Sequence, residues 1–245
     1  MKLFSKIYSA LLIILVLNSL AQAQSFGFGC LGLSGFFAGI SKESYDAAGL
    51  NDFASMQLQS NQFVNSVKFE RGTGYRIGAN FVRAKFDQVF ITAKGYYQFL
   101  KEENNITESA GPSLKTANNK FSMNHWGVAV DIGVKLFWIL DWKVIEGGVN
   151  FYNGEFSFEY LKDNVSQSSA KFNLDKIQVG YHAGTGLIMH IVPDYISLEG
   201  TIGYSFLKLD SFNSVDNFGN LTKILNSVPG GGVNVTLQMN VGFPL

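Results

Sequence analysis

Two strict alternations of apolar and polar residues, separated by a proline turn, constrain this chain more than any other feature. Over residues 177–191 the odd-numbered positions are mostly apolar, and the positions between them are mostly polar or glycine. Residues 192–194, Val-Pro-Asp, interrupt this pattern, and it resumes over residues 196–206. A period of two is the signature of a β-strand, because successive strand side chains point to opposite faces. The stretch therefore predicts a hairpin of two long strands, which needs further strands to be stable in water.

The same alternation recurs along the chain and predicts eight strands. The candidate strands cover residues 25–40, 68–83, 89–99, 125–135, 145–160, 177–191, 196–206 and 233–243. A phase slip near Asn153-Gly154 predicts a bulge in the fifth strand, and Asn51-Asp52 could begin a short helix over Phe53, Met56, Gln57 and Phe63. The connections alternate between long and short, and the long ones cover residues 41–67, 101–120, 161–170 and 209–232. This rhythm predicts an all-β, eight-stranded antiparallel barrel with short turns at one end and long loops at the other.

The N-terminus has the features of an export signal. Lys2 and Lys6 provide a positive start, residues 10–20 form an apolar run, and Ala21-Gln22-Ala23 is a small-x-small cleavage site. We therefore expect residues 1–23 to be a signal peptide and residues 24–245 to form the barrel domain. No later stretch reaches the roughly 18 consecutive apolar residues of a membrane-spanning helix.

Charge and cysteine content exclude two classes of protein. The 19 basic residues include Lys2 and Lys6, so the exported chain has a formal charge of −2 against 19 acidic residues. This balance argues against nucleic acid as a partner, because a nucleic-acid-binding chain favours a basic stripe. Cys30 is the single cysteine, so no disulfide framework within the chain can stabilise the exported protein.

The placement of glycine indicates which face of each strand is the inside of the barrel. Only 16% of residues are charged, against a usual value of about 25%. The face that carries the charges also carries most strand glycines, namely Gly78, Gly127, Gly133, Gly148, Gly180, Gly184, Gly186, Gly203 and Gly242. A water-facing surface would disfavour glycine, whereas a narrow lumen must mix small and large side chains. We therefore expect the polar face to line the lumen and the apolar face to meet lipid.

Aromatic residues near the predicted strand ends are consistent with interfacial girdles. They are Tyr96, Tyr97, Phe137, Trp138, Trp142, Tyr160 and Tyr195.

The export signal, the eight alternating strands, the loop rhythm and the final strand at residues 233–243 together resemble small bacterial outer-membrane barrels of the OmpA/OmpX type. The chain also resembles barrel proteins of the Bacteroidota. The resemblance implies a porin-like, membrane-spanning barrel in the outer membrane of a Gram-negative bacterium. It implies outer-membrane lipid and the barrel-assembly machinery as partners. That machinery usually reads a terminal aromatic residue, whereas Phe243 is followed here by Pro244-Leu245.

The predicted inward face carries a set of ionisable residues that we expect to pair across the lumen. Because burying a lone charge is costly, such groups should form a network that fills the interior. The network comprises Arg76, Lys94, His125, Asp131, Lys135, Glu146, His182 and Glu199. An eight-stranded barrel has room for side chains and little else, so a continuous pore is not expected. We expect no cofactor and no metal site, since His182 and His190 lie too far apart on one strand to share an ion.

Three functions remain open at this point. The first is a structural or surface-interaction role, with the long loops as contact surfaces. The second is a conduit or binding protein for small apolar or amphipathic molecules, with a pocket near the outer rim lined by Phe156, Phe158 and Tyr160. The third is a lipid A-modifying enzyme, which would require His125 and Ser205 within hydrogen-bonding reach of each other; the balance of the sequence favours no enzymatic activity.

Overall fold

The computed structural model of the protein describes residues 34–110, 112–193, 195–215 and 221–242. The export signal, Cys30, the first residues of the first predicted strand and Phe243 lie outside the described residues. The elements in chain order are β1 Gly35–Ser44, α1 Ala48–Ser60, β2 Arg71–Phe86, β3 Val89–Ala110, β4 Ser113–Phe137, β5 Leu140–Lys162, β6 Val165–Leu174, β7 Gln178–Val192, β8 Ile196–Phe206, β9 Leu209–Val215, β10 Leu221–Val228 and β11 Val233–Gly242. No helix in these described ranges has the length and apolar character needed to cross a membrane.

Eight of the strands close into an antiparallel barrel, which confirms the predicted fold class. Around the ring, each strand pairs with the next in the order β1, β2, β3, β4, β5, β7, β8, β11 and back to β1. Gly35 at the start of β1 pairs with Gly242 at the end of β11, so both strand termini lie at one end of the barrel. The short turns after β2, β4 and β7 lie at this same end, which we call the turn end. We call the other end the loop end.

The outward face of the ring is an almost continuous apolar belt. On β11, for example, Val233, Val235, Leu237 and Met239 are each about half exposed, while Gln238 between them is buried. Exposed aromatic residues lie at both ends of this belt. At the turn end they include Phe137, Trp138, Trp142 and Tyr195, and toward the loop end they include Tyr75, Phe99, Trp126, Tyr181, Tyr204 and Phe206. Two of the predicted girdle residues point inward instead, since Tyr96 and Tyr160 are both buried.

Inward glycines make room for large side chains on neighbouring strands. A Cβ added to Gly133 would lie 2.2 Å from the ring of Phe90, and one added to Gly148 would lie 2.4 Å from the ring of His182. The outward Gly200 is the opposite case, because a Cβ there would meet nothing within 4 Å. The narrow interior is therefore packed by pairing small residues with large ones.

The structure corrects the prediction of long irregular loops at the loop end. The hairpin of β3 and β4 continues up to Ala110 and Ser113, where the sequence predicted a loop over residues 101–120. The polar residues 161–170 form the β5–β6 hairpin, and residues 209–232 contain the strands β9 and β10. These stretches are strands that have one face in water and the other face on a small core. Because they are rich in polar and small residues, their composition resembles that of loops.

These extensions and α1 form a second compact unit, which we call the cap. The sheet continues beyond the ring in the order β5, β6, β9, β10. Helix α1 packs on it through Leu50, Ala54 and Leu58, each of which has no exposed surface. The helix begins earlier than predicted and buries a different set, since Met56 is exposed and Phe63 lies beyond its end. The cap core continues directly from the upper end of the barrel lumen, through Leu100, Met123 and Tyr152.

Candidate functional site

The centre of the barrel holds two lysines among three carboxylates. Lys94 Nζ lies 2.7 Å from Glu146 Oε2, 3.0 Å from Asp131 Oδ2 and 3.4 Å from Glu199 Oε1. The ammonium group of Lys143 donates to Glu146 and Glu199. All five side chains are buried. We call Lys94, Asp131, Lys143, Glu146 and Glu199 the central ion cluster.

A polar layer lies next to the cluster on the side of the loop end. Arg76 Nη1 lies 3.8 Å from Glu146 Oε1, and its guanidinium carbon lies 3.9 Å from the centre of the Tyr96 ring. Arg76 Nε donates to Gln98 Oε1 at 3.0 Å, and Gln98 Nε2 donates to Glu43 Oε2 at 3.1 Å. The network thus extends from the central ion cluster to Glu43, near the end of β1.

Neutral side chains provide further hydrogen bonds to Glu199 and Lys143. Its Oε2 accepts hydrogen bonds from Gln238 Nε2 at 3.2 Å and Asn240 Nδ2 at 3.1 Å. Thr201 Oγ1 accepts a hydrogen bond from Lys143 Nζ at 2.7 Å. Buried charges are tolerated when they are paired and their remaining lone pairs and protons are satisfied. This set of contacts meets that condition for Glu199 and Lys143, and it fills the middle of the lumen.

The structure places most of the predicted lumen residues together. Arg76, Lys94, Asp131, Glu146, His182 and Glu199 are all buried in the lumen around the central ion cluster. His182 Nε2 lies 3.2 Å from Glu146 Oε1, but without the geometry of a hydrogen bond. His125 lies nearer the loop end, with its ring 4.5 Å from that of Tyr152.

Lys135 was predicted to lie in the lumen but does not, whereas Lys143 lies there although the sequence did not predict it. Lys135 is exposed at the turn end, where it borders a cavity of about 210 Å³ together with Lys85, Asp141 and His190. Lys143 reaches the lumen because the ladder shifts beside it: Ile145 pairs with Ile132, whereas Lys143 pairs with Gly133. Val144 is thus an extra residue, and it and Ile145 both face outward. The adjacent apolar pair at 144–145 was the available sequence signal.

The predicted bulge near Asn153-Gly154 is not present, so the strand keeps the same face inward beyond this point. Strand β4 pairs with β5 without interruption from Lys115–Lys162 to Ile132–Ile145. Phe156, Phe158 and Tyr160 therefore stay on the inward face, and they are 0%, 6% and 2% exposed in the cap core. They pack against Phe53, Phe63, Phe69 and Phe172. The predicted apolar pocket at this position is filled by protein.

His125 and Ser205 make no hydrogen bond with each other in the described part of the chain. Ser205 Oγ accepts a hydrogen bond from Asn234 Nδ2 at 2.8 Å. His125 packs between the rings of Tyr96 and Tyr152, and its Nδ1 makes no hydrogen bond with any residue that the structure describes. The arrangement that a His-activated serine requires is therefore not formed at this pair.

The three carboxylates of the central ion cluster also have the spacing of a cation site. One oxygen from each of Asp131, Glu146 and Glu199 lies within 4.8 Å of the others. The two lysine ammonium groups already contact these carboxylates, so the positive charge is provided by the protein itself.

No family model and no curated protein matches the sequence. Among solved structures, Ail of Yersinia pestis is 12% identical, covers 86% of this chain and 98% of its own, and has a TM-score of 0.43. A major outer membrane protein from Thermus thermophilus is 12% identical over 85% and 99% of the two chains, with a TM-score of 0.42. Neisserial surface protein A is 11% identical over 85% and 97%, with a TM-score of 0.41. The barrel architecture itself is established by the strand pairings of this chain.

Proposed function

We propose that the protein spans the bacterial outer membrane as a closed barrel and carries a folded cap on the outer side, with a structural or surface-interaction role. The ring has no free strand edge, as the hydrocarbon layer requires. Its outward face is apolar between two sets of aromatic residues, which is typical of membrane barrels. The short turns, the start of β1 and the end of β11 would then lie on the periplasmic side.

One observation carries the functional part of the proposal: side chains block the lumen at two levels. The central ion cluster fills the middle of the lumen, and the cap core occupies the loop end. A transport role would need an open path, whereas here large side chains and their charge partners occupy it. The cap, which is the part of the protein outside the bilayer, is then the surface available for contacts.

Membrane fractionation with a heated and unheated gel comparison tests the placement. We expect the protein in the outer-membrane fraction, with a mobility that changes on boiling as a folded barrel unfolds. Protease added to intact cells should cut the β5–β6 turn at Asp163-Asn164, which lies in the cap, and should leave the turn end intact. Recovery of the protein as a soluble monomer without detergent would refute the proposal.

A further inference from the structure

Three basic side chains stand on the outer wall of the barrel just above the apolar belt. Lys42 on β1, Arg71 on β2 and Lys101 on β3 are all exposed and point outward. Lys42 pairs with Thr73, and Thr73 pairs with Lys101, so the two lysines are separated by two strand spacings. This places their Cα atoms about 10 Å apart. Arg71 lies on the same face, one outward position above Thr73. We call Lys42, Arg71 and Lys101 the basic triad.

Most of this positive charge is not neutralised by the protein. Lys101 forms an exposed ion pair with Glu103 at 2.5 Å. In the part of the chain that the structure describes, no carboxylate forms an ion pair with Lys42 or Arg71. The neighbouring Glu70 pairs with Lys68 at 2.6 Å. The basic triad therefore presents net positive charge at the level where lipid headgroups would lie.

An apolar groove runs down the wall from the basic triad. Lys42 and Thr73 form its upper end, and Ile40, Tyr75 and Leu237 line it below, around a volume of about 450 Å³. A second groove of about 550 Å³ continues from it, since both are lined by Val235 and Leu237. Gly200 keeps the second groove open, and Trp142, Leu187 and Ile202 border it.

We propose that this surface binds a lipid of the outer leaflet whose headgroup carries more than one phosphate, with an acyl chain in the grooves. The proposal rests on the proposed placement in the outer membrane. The grooves lie within the apolar belt, where acyl chains are the available occupants, and the basic triad is at their upper end. Phosphate pairs well with Arg and Lys, and a headgroup with two separate phosphates matches cations spread over about 10 Å.

Lipid retention by the full-length barrel tests this proposal. The protein is reconstituted in nanodiscs of phosphatidylcholine containing diphosphoryl lipid A, and the lipids that stay bound after release into detergent are counted by native mass spectrometry. Wild type should retain diphosphoryl lipid A in preference to its dephosphorylated form and to phosphatidylglycerol. Lys42→Gln, Arg71→Gln and Lys101→Gln should each lower retention about fivefold, because a basic residue near a membrane surface attracts anionic lipid by about 1 kcal/mol. Gly200→Leu, which fills the second groove, should also lower retention.

Lys176→Gln is the matched control, because Lys176 is also exposed near the loop end but lies beside β7, away from the triad. Equal retention of diphosphoryl lipid A by the triad variants and by this control would overturn the inference. Two other results would also overturn it: wild-type retention of phosphatidylglycerol equal to that of diphosphoryl lipid A, or displacement of the lipid by inorganic phosphate alone. The heat-dependent gel shift is measured on each variant. A wild type that shifts normally but retains no diphosphoryl lipid A contradicts only the lipid site, whereas a wild type without any shift contradicts the membrane placement.

Discussion

At the scale of single residues, Lys143 shows how strongly the stability of the barrel depends on the pairing of its buried charges. Its ammonium group contacts two carboxylates of the central ion cluster and Thr201, and its side chain has no exposed surface. Without it, Lys94 would be the only lysine for Asp131, Glu146 and Glu199. A buried charge that loses its partner is far more destabilising than an exposed one.

Lys143→Met should therefore lower the free energy of unfolding by about 3–5 kcal/mol. The measurement is urea unfolding of the refolded barrel in lipid vesicles. Lys135→Met is the matched control and should change this free energy by less than about 0.5 kcal/mol, since Lys135 is exposed at the turn end. Adding Glu199→Gln to Lys143→Met should recover part of the loss, because the two side chains contact each other. Equal effects of the two lysine substitutions would show that the cluster is not coupled as described.

Two glycines give a second test at this scale. A Cβ at Gly133 would lie 2.2 Å from the Phe90 ring and 2.5 Å from the carbonyl oxygen of Trp142, whereas a Cβ at Gly200 would meet nothing. Gly133→Ala should cost about 1–3 kcal/mol through overpacking of the lumen. Gly200→Ala should stay within about 0.5 kcal/mol of wild type in the same unfolding measurement. If the two substitutions had equal costs, the assignment of inside and outside would be wrong.

At the scale of elements, helix α1 is held against the rest of the cap by apolar packing and by the side chain of Asn51. The amide of Asn51 donates to the carbonyl of Phe69 at 3.0 Å and accepts from its N–H at 2.7 Å. The buried face of the helix lies over β10, where Gly49 approaches the backbone of Asn226. The cap thus has its own core and should be able to loosen while the barrel stays folded.

Leu58→Ala should destabilise the cap by about 2–5 kcal/mol, because it removes a fully buried side chain. Hydrogen exchange of the membrane-embedded protein should show faster exchange in α1 and β10, with the ring strands unchanged. Met56→Ala, at a position that is 58% exposed on the same helix, should leave exchange unaltered. Faster exchange throughout the ring after Leu58→Ala would show that cap and barrel unfold as one unit.

The segment after α1 is held by a carboxylate and should respond to pH. Glu108 accepts hydrogen bonds from the backbone N–H groups of Val64, at 3.0 Å, and Asn65, at 2.8 Å. These hydrogen bonds lower the pKa of Glu108 below its ordinary value of 4.5. The bonds favour the ionised form, so their contribution is complete above the ordinary pKa and is lost as the pH falls through the lowered value.

We expect the NMR amide signals of Val64 and Asn65 to be constant at neutral pH and to shift together below pH 4.5. Glu108→Gln should abolish this titration. A transition of the same amides at or above the ordinary pKa of a glutamate would contradict the described hydrogen bonds.

At the scale of the whole molecule, the lumen is blocked at two levels, by the central ion cluster and by the cap core. We therefore expect no steady ion conductance when the purified protein is inserted into a planar bilayer. Loosening the cap with Leu58→Ala should not open a path, since the ion cluster remains. Conductance by wild type, with the heat-dependent gel shift showing that it is folded, would refute a closed barrel.

Much of the ring could be predicted from the sequence, and much of the cap could not. Alternation located β7 and β8 within a few residues, and the placement of Gly133 and Gly148 correctly marked the inward face. The extensions of β3, β4 and β5 were missed because their composition is polar and loop-like. Phe156, Phe158 and Tyr160 were predicted to line a pocket after a phase slip, whereas the strand keeps its phase and its inward face changes from polar lumen to apolar cap core along β5.

By itself, the sequence determined that the chain forms strands with one apolar and one polar face, and that there are enough of them to close a barrel. It could do so because side-chain alternation is a local property of an extended backbone. Which inward residues meet was decided only by the tertiary structure. Ring closure and the bulge at Val144 fix the relative register of β4, β5 and β7, and that register brings Lys143 rather than Lys135 to Glu146 and Glu199. The cap likewise depends on contacts between strands far apart in the chain, such as Asn173 of β6 with Asn213 of β9. No local pattern encodes such contacts, because each requires both partners to be in place.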